Sequence, residues 1–250
     1  EVDTRPIPKK RWPVFIALVS LIDVGMFVYC CILDHGVEPI SENPMIGPSQ
    51  KVLIGAGAKD TALIMQGQVW RLGSAMFLHA GVIHLALNMA MQYRMGWFME
   101  KDIGFVRMGC VYLASGLSGN LLSALLLPTS ITVGASSSLF GIVGASASDL
   151  AVNWRTTAHR YRALVLLLLQ LAIVIVLGTL PFIDNFAHLG GLICGFFLGM
   201  GVYPSDLERS AIYKGQQVSS CRRCLHGRWR GLWFVLTILW LAALSVLLYR

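Results

Sequence analysis

Charge is what this sequence has least of. Only 13% of its 250 residues are Asp, Glu, Lys or Arg, against about 25% in a soluble globular domain, and 56% are hydrophobic. So few charges cannot cover a water-exposed surface, which excludes an ordinary soluble enzyme or binding module. Cysteine is also scarce for the purposes that need it. Of the six, Cys30, Cys31, Cys110 and Cys194 fall in or beside apolar runs, where Cys acts as a small hydrophobe rather than part of a disulfide framework. Cys221-Arg222-Arg223-Cys224 has the spacing of half a zinc site with no second ligand pair, and a juxtamembrane palmitoylation site fits it better. Neither an internal repeat nor paired midplane carboxylates appear, so an alternating-access transporter or a channel is a poor fit.

What the chain has is long uncharged stretches. Runs near 13–33, 80–97, 103–125, 134–151, 161–180, 184–202 and 229–249 approach or exceed the length needed to cross a bilayer as a helix. The second is interrupted from Leu72 onward by Gly73, Ser74, Ala80 and Gly81, so part of it reads as a submerged loop. Lys9-Lys10-Arg11 and the apolar run after them resemble the start of a secretory signal. That run is too long, no small-residue cleavage site follows, and it reads as a first span.

The distribution of basic residues predicts orientation. With the N-terminus in the cytosol and seven crossings, 16 of the 20 Lys and Arg fall on the cytosolic side, leaving Lys51, Lys59, Arg71 and Arg250 outside. The net charge of +7 then reads as attraction to anionic lipid headgroups rather than to nucleic acid. The expected fold is an all-α polytopic membrane protein, a bundle of seven transmembrane helices with a half-buried outside loop between the first two.

Short outside links near 128–133 and 181–185 place the starts of two helices at one shallow, non-cytosolic depth. One start carries Gly134-Ala135-Ser136-Ser137-Ser138 and the other Ala187-His188-Leu189-Gly190-Gly191. Gly191, Gly195 and Gly199 lie on the same helical face as His188, and small residues at this spacing let membrane helices approach closely. Gly141, Gly144, Ala145 and Ser148 offer a matching surface on the Ser136 helix. Such packing would bring an imidazole to the Ser136 hydroxyl, as general-base catalysis requires. Phe140, one turn beyond Ser136, can hold the ring of His188. No acid is placed to orient that histidine: Asp184 is a turn back at the interface and Asp149 lies at the far helix end, so a dyad is expected. His84 and Asn88 share a face on the second span and can donate hydrogen bonds to an oxyanion, while His79 points elsewhere. Asp23 and Gln170 read as isolated polar groups facing other helices.

In this order and on these helices, Trp70-Arg71, His79-x4-His84-x3-Asn88, Gly134-x-Ser136 and Ala187-His188-x2-Gly191-x3-Gly195 resemble the rhomboid intramembrane serine proteases. The turn Gly96-x3-Glu100-x3-Gly104-x2-Arg107 is similar to the family's hairpin between its second and third core helices. The resemblance implies Ser136 as nucleophile, His188 as base, His84 and Asn88 as oxyanion donors, Phe140 stacked on His188, and Gly134, Gly191 and Gly195 in support. It implies no metal and no cofactor. One departure stands out: the family has Gly directly after the nucleophile, where this chain has Ser137.

The expected organisation is a single transmembrane domain over 1–250: a rhomboid-like core over about 13–202, a cytosolic loop over about 203–228 and an additional helix over about 229–249. The last of these resembles the six-plus-one members of secretory pathways. The expected partners are the lipid bilayer and single-pass transmembrane protein substrates with weakly helical segments, cut near the non-cytosolic face. The expected location is the secretory pathway or plasma membrane rather than the mitochondrial inner membrane. The competing reading is a rhomboid-like pseudoprotease that binds such clients without cutting them.

Overall fold

A computed structural model of the chain describes residues 12–155, 157–177, 184–203 and 220–249, with 173–177 and 220–228 described as backbone only. The proposed cytosolic loop, apart from the helical backbone of 220–228, the first basic cluster, the link over 178–183 and the side chains of Cys221 and Cys224 lie outside the described residues. What is described is helical, with one isolated bridge between Lys59 and Thr132. In chain order the helices are α1 (Val14–Leu33), α2 (Gln50–Ala56), α3 (Thr61–Met65), α4 (Arg71–Ser74), α5 (Val82–Met91) and α6 (Trp97–Ile103). There follow α7 (Phe105–Leu126), α8 (Ser136–Val152), α9 (Arg160–Leu177), α10 (Asn185–Val202) and α11 (Ser220–Leu248).

Helix is found in each of the seven apolar runs as far as they are described, 178–180 of the fifth lying outside the described residues. Among the described residues, four helices are long and apolar enough to cross a membrane. A fifth is added if Arg71–Phe77 and Val82–Ile103, which meet at 89°, count as one broken span. The protein is thus an all-helical integral membrane bundle. The break explains the interrupted second run: Ala75–Phe77 is a 3₁₀ turn, and the long helix resumes at Val82. A π-helical turn over Gln92–Gly96 joins α5 to α6.

The centre of the bundle is α7, α8 and α10. On α8 nearly every residue from Ser137 to Ala145 is buried, including both serines beside Ser136. Small residues let the three helices meet backbone to backbone. A Cβ added at Gly191 would lie 2.0 Å from the Ser137 carbonyl oxygen, and one at Gly195 2.0 Å from that of Gly141. From the other side, one at Gly144 would lie 2.1 Å from the Leu192 carbonyl oxygen. Lower down, Ser148 Oγ donates to the Phe196 carbonyl at 2.6 Å, so the small surfaces expected on the two helices do face one another. Outside this centre, α1 exposes Leu18, Leu21 and Ile22, as a lipid-facing helix does.

Polar groups tie the periphery to the centre. Glu100, fully buried, accepts from the Phe15 and Ile16 amides at 2.8 Å each and so caps the first turn of α1. On α11, Trp240 Nε1 donates to Ser118 Oγ at 2.7 Å, and Ser118 Oγ donates to the Gly190 carbonyl at 2.8 Å, so α11, α7 and α10 share one chain of bonds. Two polar residues read as isolated are not. Gln92 Nε2 donates to Ser20 Oγ at 2.9 Å and to Asp23 Oδ2 at 3.3 Å, and its Oε1 accepts from the Tyr112 hydroxyl at 3.1 Å. Gln170 Nε2 lies 2.9 Å from Met95 Sδ. Sequence separation hid both contacts.

The close approach of α8 and α10 can be tested directly. Gly195→Val places atoms where the Gly141 carbonyl now sits, and overpacking of this kind costs about 1–3 kcal/mol. The variant is expected to unfold at lower temperature in detergent than the parent, by differential scanning fluorimetry, whereas Gly25→Val, with nothing near its added Cβ, is expected to match the parent.

Candidate active site

The starts of α8 and α10 converge. Ser136, the first residue of α8, lies with its Oγ 2.9 Å from His188 Nε2 on the first turn of α10. Both residues are half-buried although their neighbours Ala135, Ser137 and Ala187 are buried, so the pair opens to one side of the bundle. The Phe140 ring stacks on the imidazole with centroids 4.4 Å apart and planes 21° from parallel, fixing the ring about its own axis. His188 Nδ1 is buried and has no hydrogen-bond partner among the described residues. The Asp184 carboxylate is engaged elsewhere. Its Oδ1 accepts from the Ala187 amide at 2.9 Å, capping α10, and its Oδ2 accepts from the Thr132 hydroxyl at 2.7 Å and from the Ser123 hydroxyl. No carboxylate among the described residues accepts from His188 Nδ1.

His84 and Asn88 reach the same place from α5. A Cβ added at Gly134 would lie 2.9 Å from His84 Nε2 and 3.6 Å from Asn88 Nδ2, so the bare glycine leaves room for both. Its φ of +126° is in the region glycine adopts readily. His84 Nδ1 accepts from the Ala80 amide at 3.4 Å, which leaves the ring proton on Nε2, the nitrogen turned toward Gly134. Asn88 Nδ2 is buried with no partner of its own among the described residues. Two donors thus point at the turn that leads into Ser136. His79 differs from expectation. It sits in the break before α5 rather than on the helix, so its ring meets that of His84 edge to face, with centroids 5.4 Å apart. Spacing along a helix did not apply there.

Ser137 is helical and buried, with its Cβ against Gly119 of α7. Its Cβ would be 2.6 Å from a Cβ added at Gly119 on α7, so its bulk is accommodated by a missing side chain on that helix.

The loop between α1 and α5 frames the site. Buried Arg71 donates through Nη1 to the Ile54 and Ala58 carbonyls at 2.6 and 3.0 Å and through Nε to Gln68 Oε1 at 2.8 Å. Buried Lys59 donates to the Leu127 and Ser130 carbonyls at 3.0 and 2.7 Å. Burial pushes the Lys59 ammonium down to about 8, opposed by the Asp184 and Asp60 carboxylates. Sequence reasoning treated Lys59 and Asp184 as surface charges and passed over Thr132 and Ser123. The one available signal was Asp184 preceding Asn185 at a helix start, the position of an N-cap.

The chain is similar to known proteins. A family model described as "Rhomboid domain" matches residues 66–205. RHOMBOID-like protein 6, mitochondrial, of Arabidopsis thaliana is 41% identical over 216 residues, covering 84% of this chain and 69% of the relative. Rhomboid-like protease 1 of Toxoplasma gondii is 36% identical over 202 residues, covering 79% and 66%. Inactive RHOMBOID-like protein 8 of Arabidopsis thaliana is also 36% identical, over 206 residues, covering 76% and 59%. The chain spans 59–69% of the length of these relatives, whose names include both a protease and an inactive protein, and about half the length of other curated relatives it matches. With its helical membrane bundle and a domain match over more than half its length, this chain belongs to the rhomboid family.

Proposed function

We propose that this protein is an intramembrane serine endopeptidase that cuts transmembrane protein substrates near the non-cytosolic face of the membrane. The observation that carries the reading is the 2.9 Å contact between Ser136 Oγ and His188 Nε2 at the start of two facing helices. In the proposed sequence, His188 Nε2 takes the Ser136 hydroxyl proton as the oxygen attacks the scissile carbonyl. The oxyanion forms beside Gly134, within reach of His84 Nε2–H and Asn88 Nδ2–H. Donors fixed before charge develops stabilise it without reorganisation, each such group being worth about 10²–10³ in kcat. His188 then gives its proton to the leaving amine, and water releases the second product from the acyl-enzyme. The stacked Phe140 ring keeps the imidazole in the plane of transfer. No cofactor enters these steps. Ser137 favours Ser136 as the attacking hydroxyl, since its own oxygen is buried on the α7 side of α8.

A second reading is a rhomboid pseudoprotease that binds transmembrane clients. The relative named inactive, at 36% identity, supports it, and so does the residue at 137, where the family pattern has Gly. What favours the enzyme is that Ser136, His188, His84 and Asn88 are all present and convergent.

The proposed domain is the whole chain, with a core over about 13–202 and an additional C-terminal helix bound to it through Trp240. The proposed orientation has a cytosolic N-terminus and the C-terminus outside, which the asymmetry of Lys and Arg supports. The proposed compartment is the secretory pathway or plasma membrane; the relative named mitochondrial supports the alternative. In sealed vesicles of known sidedness, a tag appended after Arg250 is expected to be cut by protease added to the non-cytosolic face only. Cleavage from the cytosolic face would reverse the orientation.

Labelling with a fluorophosphonate probe tests the chemistry. The parent and Ser137→Ala are expected to take up label, while Ser136→Ala and His188→Ala lose it. Label that survives Ser136→Ala but not Ser137→Ala would move the nucleophile; no label and no cleavage of any transmembrane reporter would favour the pseudoprotease.

Substrate choice follows from the same site. A helical carbonyl is already hydrogen-bonded and shielded, so a substrate must unwind before Ser136 can reach it. Reporters with Gly or Ser near the outer membrane boundary are expected to be cut faster than versions with Ala or Leu there, since Gly weakens a helix by about 1 kcal/mol per residue. Equal cleavage rates would contradict this.

A further inference from the structure

Resting on the dyad reading above, we propose that Thr132 and Asp184 are positioning residues, a clamp that joins the start of α8 to the start of α10 and sets the register of Ser136 against His188. Thr132 stands four residues before Ser136, and Asp184 four before His188. The Thr132 hydroxyl donates to Asp184 Oδ2 at 2.7 Å, so one bond links the two approaches to the site at the same distance from each reacting side chain. Each end is anchored further. Asp184 Oδ1 accepts from the Ala187 amide at 2.9 Å, and the Asp184 carbonyl from the His188 amide at 3.2 Å, so the carboxylate is rigidly attached to the turn carrying the imidazole. The Thr132 amide donates to the Lys59 carbonyl at 3.1 Å, and its own carbonyl accepts from the Lys59 amide at 2.9 Å. Gly134, two residues on, donates to the Ala75 carbonyl at 2.9 Å.

The need for such a clamp follows from how α8 and α10 meet. Gly191, Gly195 and Gly199 bring the two backbones together laterally, but a glycine face presents no side-chain ridges to resist sliding along the helix axis. A shift of about 1 Å in a reacting pair can cost about 10² in rate. The polar link at the helix starts adds an axial constraint at the site end of the contact, where the Ser148–Phe196 bond farther along the helices does not reach. The Ser123 hydroxyl from α7 gives the same carboxylate oxygen a second donor, which brings the third central helix into the joint.

The test uses the full chain reconstituted in liposomes with a transmembrane reporter. Thr132→Val keeps the shape of the side chain and removes the donor. It is expected to lower kcat about 10- to 100-fold with KM within about twofold of the parent, the pattern of a lost transition-state alignment rather than lost binding. Thr132→Ser, which keeps the hydroxyl, is expected to retain parental kcat. Because the two residues act through one bond, Thr132→Val with Asp184→Ala is expected to fall no further than the worse single variant. Parental kcat in Thr132→Val, or losses that multiply in the double variant, overturns the clamp. Hydrogen exchange of the amides at 136–140 and 187–190 gives a readout independent of turnover and is expected to quicken in Thr132→Val. Ser136→Ala separates the two proposals. If it cleaves as the parent does, or if the parent does not cleave, the protease reading falls, and unchanged exchange at both helix starts in Thr132→Val overturns the clamp as well.

Discussion

The contact between the backbones of α8 and α10 is the constraint from which the rest of the molecule follows. In a bilayer, apolar side chains gain nothing by meeting one another instead of lipid, so helices associate where close packing and hydrogen bonds are available. Glycines at 191, 195 and 199 on α10, and 144 on α8, make that packing possible down most of the shared length, while Gly141 leaves room for Ser115 of α7. The starts of both helices are drawn together as a result, and Ser136 and His188 are the residues that stand there. A serine and a histidine would each be unremarkable alone; the small residues beyond them make them neighbours.

Around this centre the protein deals with polar groups that lipid cannot solvate. Buried Glu100 serves as the cap of α1, buried Arg71 collects carbonyls of the outer loop, and buried Lys59 takes the carbonyls left open where α7 ends. Each is interior and bonded chiefly to backbone, Arg71 reaching the Gln68 side chain as well. Asn88 is the contrast, since its amide nitrogen is buried beside Gly134 with no partner among the described residues. This unused donor lies beside Ser136, at the site proposed to receive the substrate.

Much of this was legible before any coordinates. Composition and run length give the membrane bundle. The spacing of His188 with its glycines gives the helix contact, because periodicity within one helix is a local property. What periodicity could not give was anything on a segment that is not helical. Helical spacing turns His79 away from His84, whereas the chain breaks between them and the two rings meet. Thr132, Ser123 and Lys59 carry no pattern, since their partners lie far along the chain. Asp23 read as isolated for the same reason: Gln92 is 69 residues away. Ser137 could be judged only with the neighbouring helix in view, because its fit depends on Gly119.

The break before α5 bears on the outer loop as a whole. Where the helix restarts, the Val82 and Ile83 amides donate to the Ile46 and Met45 carbonyls at 2.9 and 3.3 Å, and the Ala80 carbonyl accepts from Asn43 Nδ2 at 2.8 Å. Surface connections usually tolerate insertions because nothing depends on their path. This one cannot be lengthened or trimmed freely, since residues 43–46 stand in for the helical turn that α5 lacks.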